Sequence, residues 1–131
     1  MITEDYVSFE TAKLLKEKGF DEECIGYYVD YEPNDVKYSF MGETNSTWEP
    51  RCYSAPTLQM ATKWLREVHH YYIQVMLDSW ACGGHMGYYV VLQRTDNDFE
   101  MMLQDTVDEV FYQTYEEAYK AAIKYCLENL I

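Results

Sequence analysis

Between Leu58 and Asp78 the apolar pattern changes its period, and that change limits the fold more than any other feature of the chain. Leu58, Ala61, Leu65 and Val68 recur at the spacing of one helix face, with Met60 and Trp64 widening the stripe. Ser54 or Thr57 is placed to offer an oxygen to the free N–H groups at the start of that helix, and Pro56 suits its first turn. From Tyr71 the period is two. Tyr71, Ile73, Val75 and Leu77 point one way, and Tyr72, Gln74, Met76 and Asp78 the other. A helix that runs straight into a half-buried strand predicts helices packed on a sheet.

The flanking segments repeat both periods. Ser8 can cap a first helix whose face is Phe9, Ala12, Leu14 and Leu15, with Val7 stapled onto Ala12 and Gly19 placed to end it. Glu10 suits its positive end, and Lys13, Lys16 and Lys18 fall toward its negative end. Ile25 to Val29 and Val36 to Met41 read as a hairpin around the acidic turn Tyr31 to Asp35. A loop, Gly42 to Thr47, leads to an extended piece, Trp48 to Tyr53, which Pro50 limits to an edge strand at best.

Beyond Tyr71, the glycine-rich loop Ala81 to Gly87 leads to a strand from Tyr88 to Gln93. Asp96-Asn97-Asp98 marks a turn into Phe99 to Gln104, and Val107 to Tyr112 reads as one more strand. Thr114 and Glu117 form a capping box for the last helix, with Ala118, Ala122, Ile123, Cys126 and Leu130 on its buried face. The expectation is one α+β domain over residues 1–131, with an antiparallel sheet of about 4–6 strands and three helices packed on one face.

Charge narrows the partners. The chain carries 23 acidic against 10 basic side chains, a net charge of −13. Nucleic-acid binding rests on Lys and Arg neutralising phosphates, so direct nucleic-acid binding is not expected. A basic protein surface remains open to it, as does self-association through the sheet, although acidity also serves plain solubility. Cys24, Cys52, Cys82 and Cys126 include no C-x-x-C pair and suit free thiols in a reducing compartment. Met1 to Asp5 has neither a basic region nor an apolar run, and no stretch approaches the ~20 apolar residues of a membrane span. These features lead us to expect a cytoplasmic protein without membrane contact. Asn45-Ser46-Thr47 matches a glycosylation sequon, which has no meaning without export.

The motifs that suggest chemistry are weak. Cys82-Gly83-Gly84-His85 has the spacing of half a zinc site, with His69-His70 as the remaining candidates. A strand of about nine residues at ~3.3 Å each separates them by roughly 30 Å, too far for one ion held at ~2.0–2.3 Å. Gly83, Gly84 and Gly87 lead into a strand with no following Lys, unlike a phosphate loop. Asp96 to Glu100 begins like a calcium loop, but Met101 and Val107 stand where glycine and a bidentate Glu are required. Cys126 falls on a buried helix face, where a thiol is inert. Cys82 with His85 is the one pairing a small-ligand site or an enzyme could use, and no third group accompanies it. No catalytic, metal or cofactor-binding residue is assigned, and no cofactor is expected.

Tyrosine supplies the remaining candidates. Tyr27-Tyr28, Tyr71-Tyr72 and Tyr88-Tyr89 are adjacent pairs on strands, so one ring of each pair faces the helices and the other faces away. Aligned outward rings would make an aromatic interaction patch rimmed by acid. The alternative is that tyrosine simply suits half-exposed strands.

Three stretches carry a resemblance. Phe9 to Asp21 (FETAKLLKEKGFD), Ser54 to Ala61 (SAPTLQMA), and Tyr115 to Ala118 with Ala122 to Ile131 resemble blocks of a group of small acidic proteins from gut Bacteroidales and their bacteriophages. The resemblance implies a bacterial or phage cytoplasmic origin and brings no activity and no catalytic residue with it. The expected function is therefore a non-enzymatic, acidic protein-interaction or regulatory role, phage- or mobile-element-encoded and directed at a host protein. The alternative is a small-ligand binder or enzyme with its site around Cys82 and His85.

Overall fold

The structure, a computed structural model, describes residues 2–78, 87–103 and 112–131. In chain order these form α1 (Phe9–Glu17), β1 (Cys24–Val29), β2 (Lys37–Glu43), β3 (Cys52–Ser54), α2 (Leu58–His69), β4 (Tyr71–Asp78), β5 (Gly87–Arg94), β6 (Glu100–Leu103) and α3 (Tyr115–Tyr125). A π-helical turn, Cys126–Leu130, follows α3. The α+β class stands, but the expected single sheet of about 4–6 strands does not. The described strands make two three-stranded antiparallel sheets, ordered β2-β1-β3 and β4-β5-β6. Sequential strands joined by short turns pair with one another first, and α2 interrupts the series between β3 and β4. The segment 104–111, which includes most of the expected strand Val107 to Tyr112, lies outside the described residues. So do Cys82 and His85.

The chain groups into two compact units: Met1–Ala61 with Leu127–Ile131, and Thr62–Cys126. In the first, Ser8 Oγ accepts from the Thr11 N–H at 3.2 Å, and α1 buries Thr11, Ala12 and Leu15. Gly19, at φ +90°, lets the chain leave the helix in a conformation closed to most residues. Phe9 meets the rings of Tyr28 and Tyr53 edge-on at 5.8 and 5.5 Å, which seats α1 on β1 and β3. Lys16 adds a hydrogen bond from Nζ to the Cys52 carbonyl at 2.9 Å and lies 4.7 Å over the Tyr53 ring. Gly26 permits the close approach of β1 and the segment after β3, because a Cβ there would stand 2.9 Å from the Ala55 carbonyl oxygen.

The loop after β2 is tied down by its own polar side chains. Asn45 is buried, donating from Nδ2 to the Phe20 carbonyl at 2.8 Å and accepting at Oδ1 from the Ser54 N–H at 2.9 Å. The sequon asparagine is thus a structural bridge with both ends of its amide in use. Trp48 then lies across Tyr27, ring centroids 4.5 Å apart, and donates from Nε1 to Ser54 Oγ at 2.8 Å.

In the second unit β4, β5 and β6 form a meander in continuous register, from Tyr71↔Arg94 to Asp78↔Gly87 and from Val90↔Leu103 to Gln93↔Glu100. Tyr71, Ile73, Val90 and Leu92 are buried, as are Ala118, Ala122 and Ile123 of α3, which packs along β4 and β5. The chain returns to β5 at Tyr112, whose N–H and carbonyl pair with those of Tyr88 at 2.9 and 2.8 Å. His70, at φ 64°, makes the one-residue joint between α2 and β4.

Two details of the expected helix faces are corrected. Val68 is half-exposed rather than buried, and the buried apolar set of α2 is Leu58, Ala61, Trp64 and Leu65. Trp64 supplies the bulk at that end, its ring 4.6 Å from that of His69. At the end of α3 the wider π turn rotates the face, so Cys126 and Leu127 are buried and Leu130 is not.

Candidate functional site

The six paired tyrosines separate by strand parity. Tyr71 is buried at 7% exposure while Tyr72 faces out at 41%. Tyr28 is buried and donates its phenol proton to the Val7 carbonyl at 2.6 Å, while Tyr27, half-buried, points the other way under Trp48. Tyr88 is half-buried against Tyr115 at 6.0 Å, on the side of Tyr71, and Tyr89 shares the outward side with Tyr72. Tyr72 and Tyr89 nevertheless do not meet. Tyr72 lies opposite Gln93 and Tyr89 opposite Met76, four positions along the strands, or about 13 Å. A polar ladder fills the gap: Gln74 donates to Gln93, and Gln93 Nε2 donates to Glu100 Oε2 at 3.0 Å. Tyr72, Met76 and Met102 stand exposed around it, and on this sheet Tyr72 and Tyr89 do not join into one aromatic patch.

Among the described residues the most exposed aromatic ring lies elsewhere. Along the β1–β2 ladder, Cys24 pairs with Glu43 and Gly26 with Tyr38. Ile25 alone therefore stands opposite the four residues Ser39 to Gly42, a large bulge on an edge strand. Within it the Met41 N–H turns back onto Ser39 Oγ at 3.3 Å. Phe40 is fully exposed, at 108%, and Met41 is 76% exposed. Tyr38 and Ile25, also exposed, flank them, and Tyr38 rests edge-on against Tyr6 at 5.9 Å. Gly42 closes the bulge where a Cβ would collide with the Glu23 side chain. Sequence reasoning assigned Phe40 and Met41 to a regular strand. The available signal was two adjacent apolar residues followed by glycine, which no period-two strand explains.

Acid surrounds this prominence. Between Lys18 and Arg51 the only basic residue is Lys37. Lys37 is held by Glu32 and by Asp35 at 3.7 Å, and Arg51 is held by Asp30 at 3.0 Å. The Glu32 contact raises the Lys37 ammonium above its ordinary value. Asp21 is held below the ordinary carboxylate value by the Ser46 N–H at 2.7 Å and then by the Ser46 hydroxyl at 2.9 Å. Glu22, Glu23 and Glu43 form no ion pair among the described residues. They flank the bulge across the β1–β2 pairing.

The described thiols are poor nucleophiles. Burial, with Glu22 and Glu23 adding to it, pushes Cys24 up to about 11, and burial alone pushes Cys126 up to about 12. Cys52 is also raised, chiefly by burial. Each stays protonated near neutrality, where the thiolate is the reactive form. Among the described residues no three His, Cys, Asp or Glu side chains converge as metal ligands, and no helix is long and apolar enough to cross a membrane. Comparison with protein-family models, with curated proteins and with solved structures finds no match.

Proposed function

We propose that the chain is a non-enzymatic, acidic interaction protein that meets its partner through the β2 bulge. The observation that supports this reading is the full exposure of Phe40 beside Met41 on an edge strand. Scattered apolar residues on a surface need no explanation, but Ile25, Tyr38, Phe40 and Met41 cluster around one bulge. Edge strands normally carry charge, proline or bulges that discourage pairing. Here the bulge interrupts the ladder, yet it presents a phenylalanine and a methionine at its crest. Aromatic side chains and methionine are enriched at interface centres. The role fits a small protein of a phage or mobile element that occupies a surface on a host protein.

The test is affinity capture from host-cell extract with the wild type and with the Phe40→Ala/Met41→Ala variant. Both should melt at the same temperature, because the removed side chains are exposed, and a protein retained by the wild type should be lost by the variant. Identical retention by both, or a variant that melts well below the wild type, contradicts the assignment.

A further inference from the structure

Resting on that reading, we infer that the partner presents an apolar pocket rimmed by Lys and Arg, and that Phe40 and Met41 enter it as side-chain knobs rather than β2 adding a strand. Two independent features lead there. The first is geometric. Strand addition needs an unbroken row of free N–H and C=O groups, and β2 lacks one across Ser39 to Gly42. The bulge engages its Met41 N–H locally on Ser39 Oγ, so recognition passes to the side chains.

The second feature is charge. Glu22, Glu23 and Glu43 flank the crest, and the only cation between Lys18 and Arg51, Lys37, is engaged by Glu32 and Asp35. A partner with acid at its rim would be repelled. A partner with Lys or Arg at its rim gains both faster encounter and favourable rim contacts. The same charge opposes a second copy of this chain, since two such crests would bring like charges together. It equally opposes a phosphate backbone.

Photo-cross-linking at the crest tests the inference. Phe40→p-benzoylphenylalanine is introduced into the full chain and irradiated in host-cell extract, with Glu10→p-benzoylphenylalanine, on the exposed side of α1, as the control. One discrete adduct should form from position 40 and none from position 10, and the cross-linked segment of the partner should carry Lys or Arg beside apolar residues. Its yield should fall about fivefold or more when salt rises from about 50 mM to about 500 mM, and similarly in a Glu22→Lys/Glu43→Lys background that melts like the wild type. An adduct indifferent to salt and to charge reversal overturns the basic partner while leaving the interaction role intact. An adduct with a second copy of the chain overturns it in favour of self-association. No adduct above the control overturns the proposed function as well.

Discussion

Tyr28 and Tyr72 show how one residue type serves two purposes in this chain. The Tyr28 ring is buried against Phe9 and its hydroxyl satisfies the Val7 carbonyl, whereas Tyr72 is 41% exposed. Tyr28→Ala should cost about 3–5 kcal/mol by denaturant titration, from the lost ring and the cavity beneath α1. Tyr72→Ala should stay within about 0.5 kcal/mol of the wild type. Equal losses would mean that the outward face is covered. His69 is a second residue with a measurable signature. Burial, and then the neighbouring His70 charge, lower its imidazole below the ordinary value of 6.5, and its Nε2 is buried with no hydrogen-bond partner among the described residues. The native state therefore disfavours the proton that the unfolded chain accepts. Stability from this group is complete above the ordinary value and declines as pH falls through it toward the lowered one. The melting temperature should drop between about pH 7.5 and 5.5, and His69→Phe should reduce that drop. An identical pH slope in the variant would remove His69 from the account.

At the scale of elements, the helices were legible because their signals are local. Ser8 and Thr114 cap α1 and α3 with oxygen-to-N–H distances of 3.2 and 3.1 Å, and of the two candidates at α2 it is Thr57 whose hydroxyl accepts, from the Met60 N–H at 3.2 Å. Strand alternation correctly separated Tyr71 from Tyr72. The division into two sheets was not legible, because pairing is non-local and the three residues of β3 carry too short a pattern to show their partner. The π turn escaped for a related reason: Leu130 continues the α-helical spacing, and only a change of pitch puts Leu127 inward instead. The candidate site was hidden because a bulge suspends the alternation on which strand reading depends. Helix α2 offers a test of its corrected face. Leu65→Ala should cost about 2–5 kcal/mol and Val68→Ala less than about 0.5 kcal/mol in the same denaturation experiment. A large loss at Val68 would restore the face expected from the sequence.

For the molecule as a whole, acidity and apolar exposure take their meaning from each other. On the proposed reading, a net charge of −13 opposes the close approach of like-charged surfaces, which suits a chain that displays a bare phenylalanine. The cations of the first unit are largely engaged within it: Lys16 on the Cys52 carbonyl, Lys18 on the Ile131 carbonyl at 2.8 Å, Lys37 on Glu32 and Arg51 on Asp30. What remains around the crest is uncompensated acid. The most direct measurement is the affinity of the captured partner for the wild type and for Phe40→Ala, by titration calorimetry on proteins of equal melting temperature. A hot-spot ring contributes at least about 2 kcal/mol, so the dissociation constant should rise about thirtyfold or more. A constant that is unchanged within about twofold, a difference of about 0.4 kcal/mol, would contradict the claim that the β2 bulge is where this protein binds.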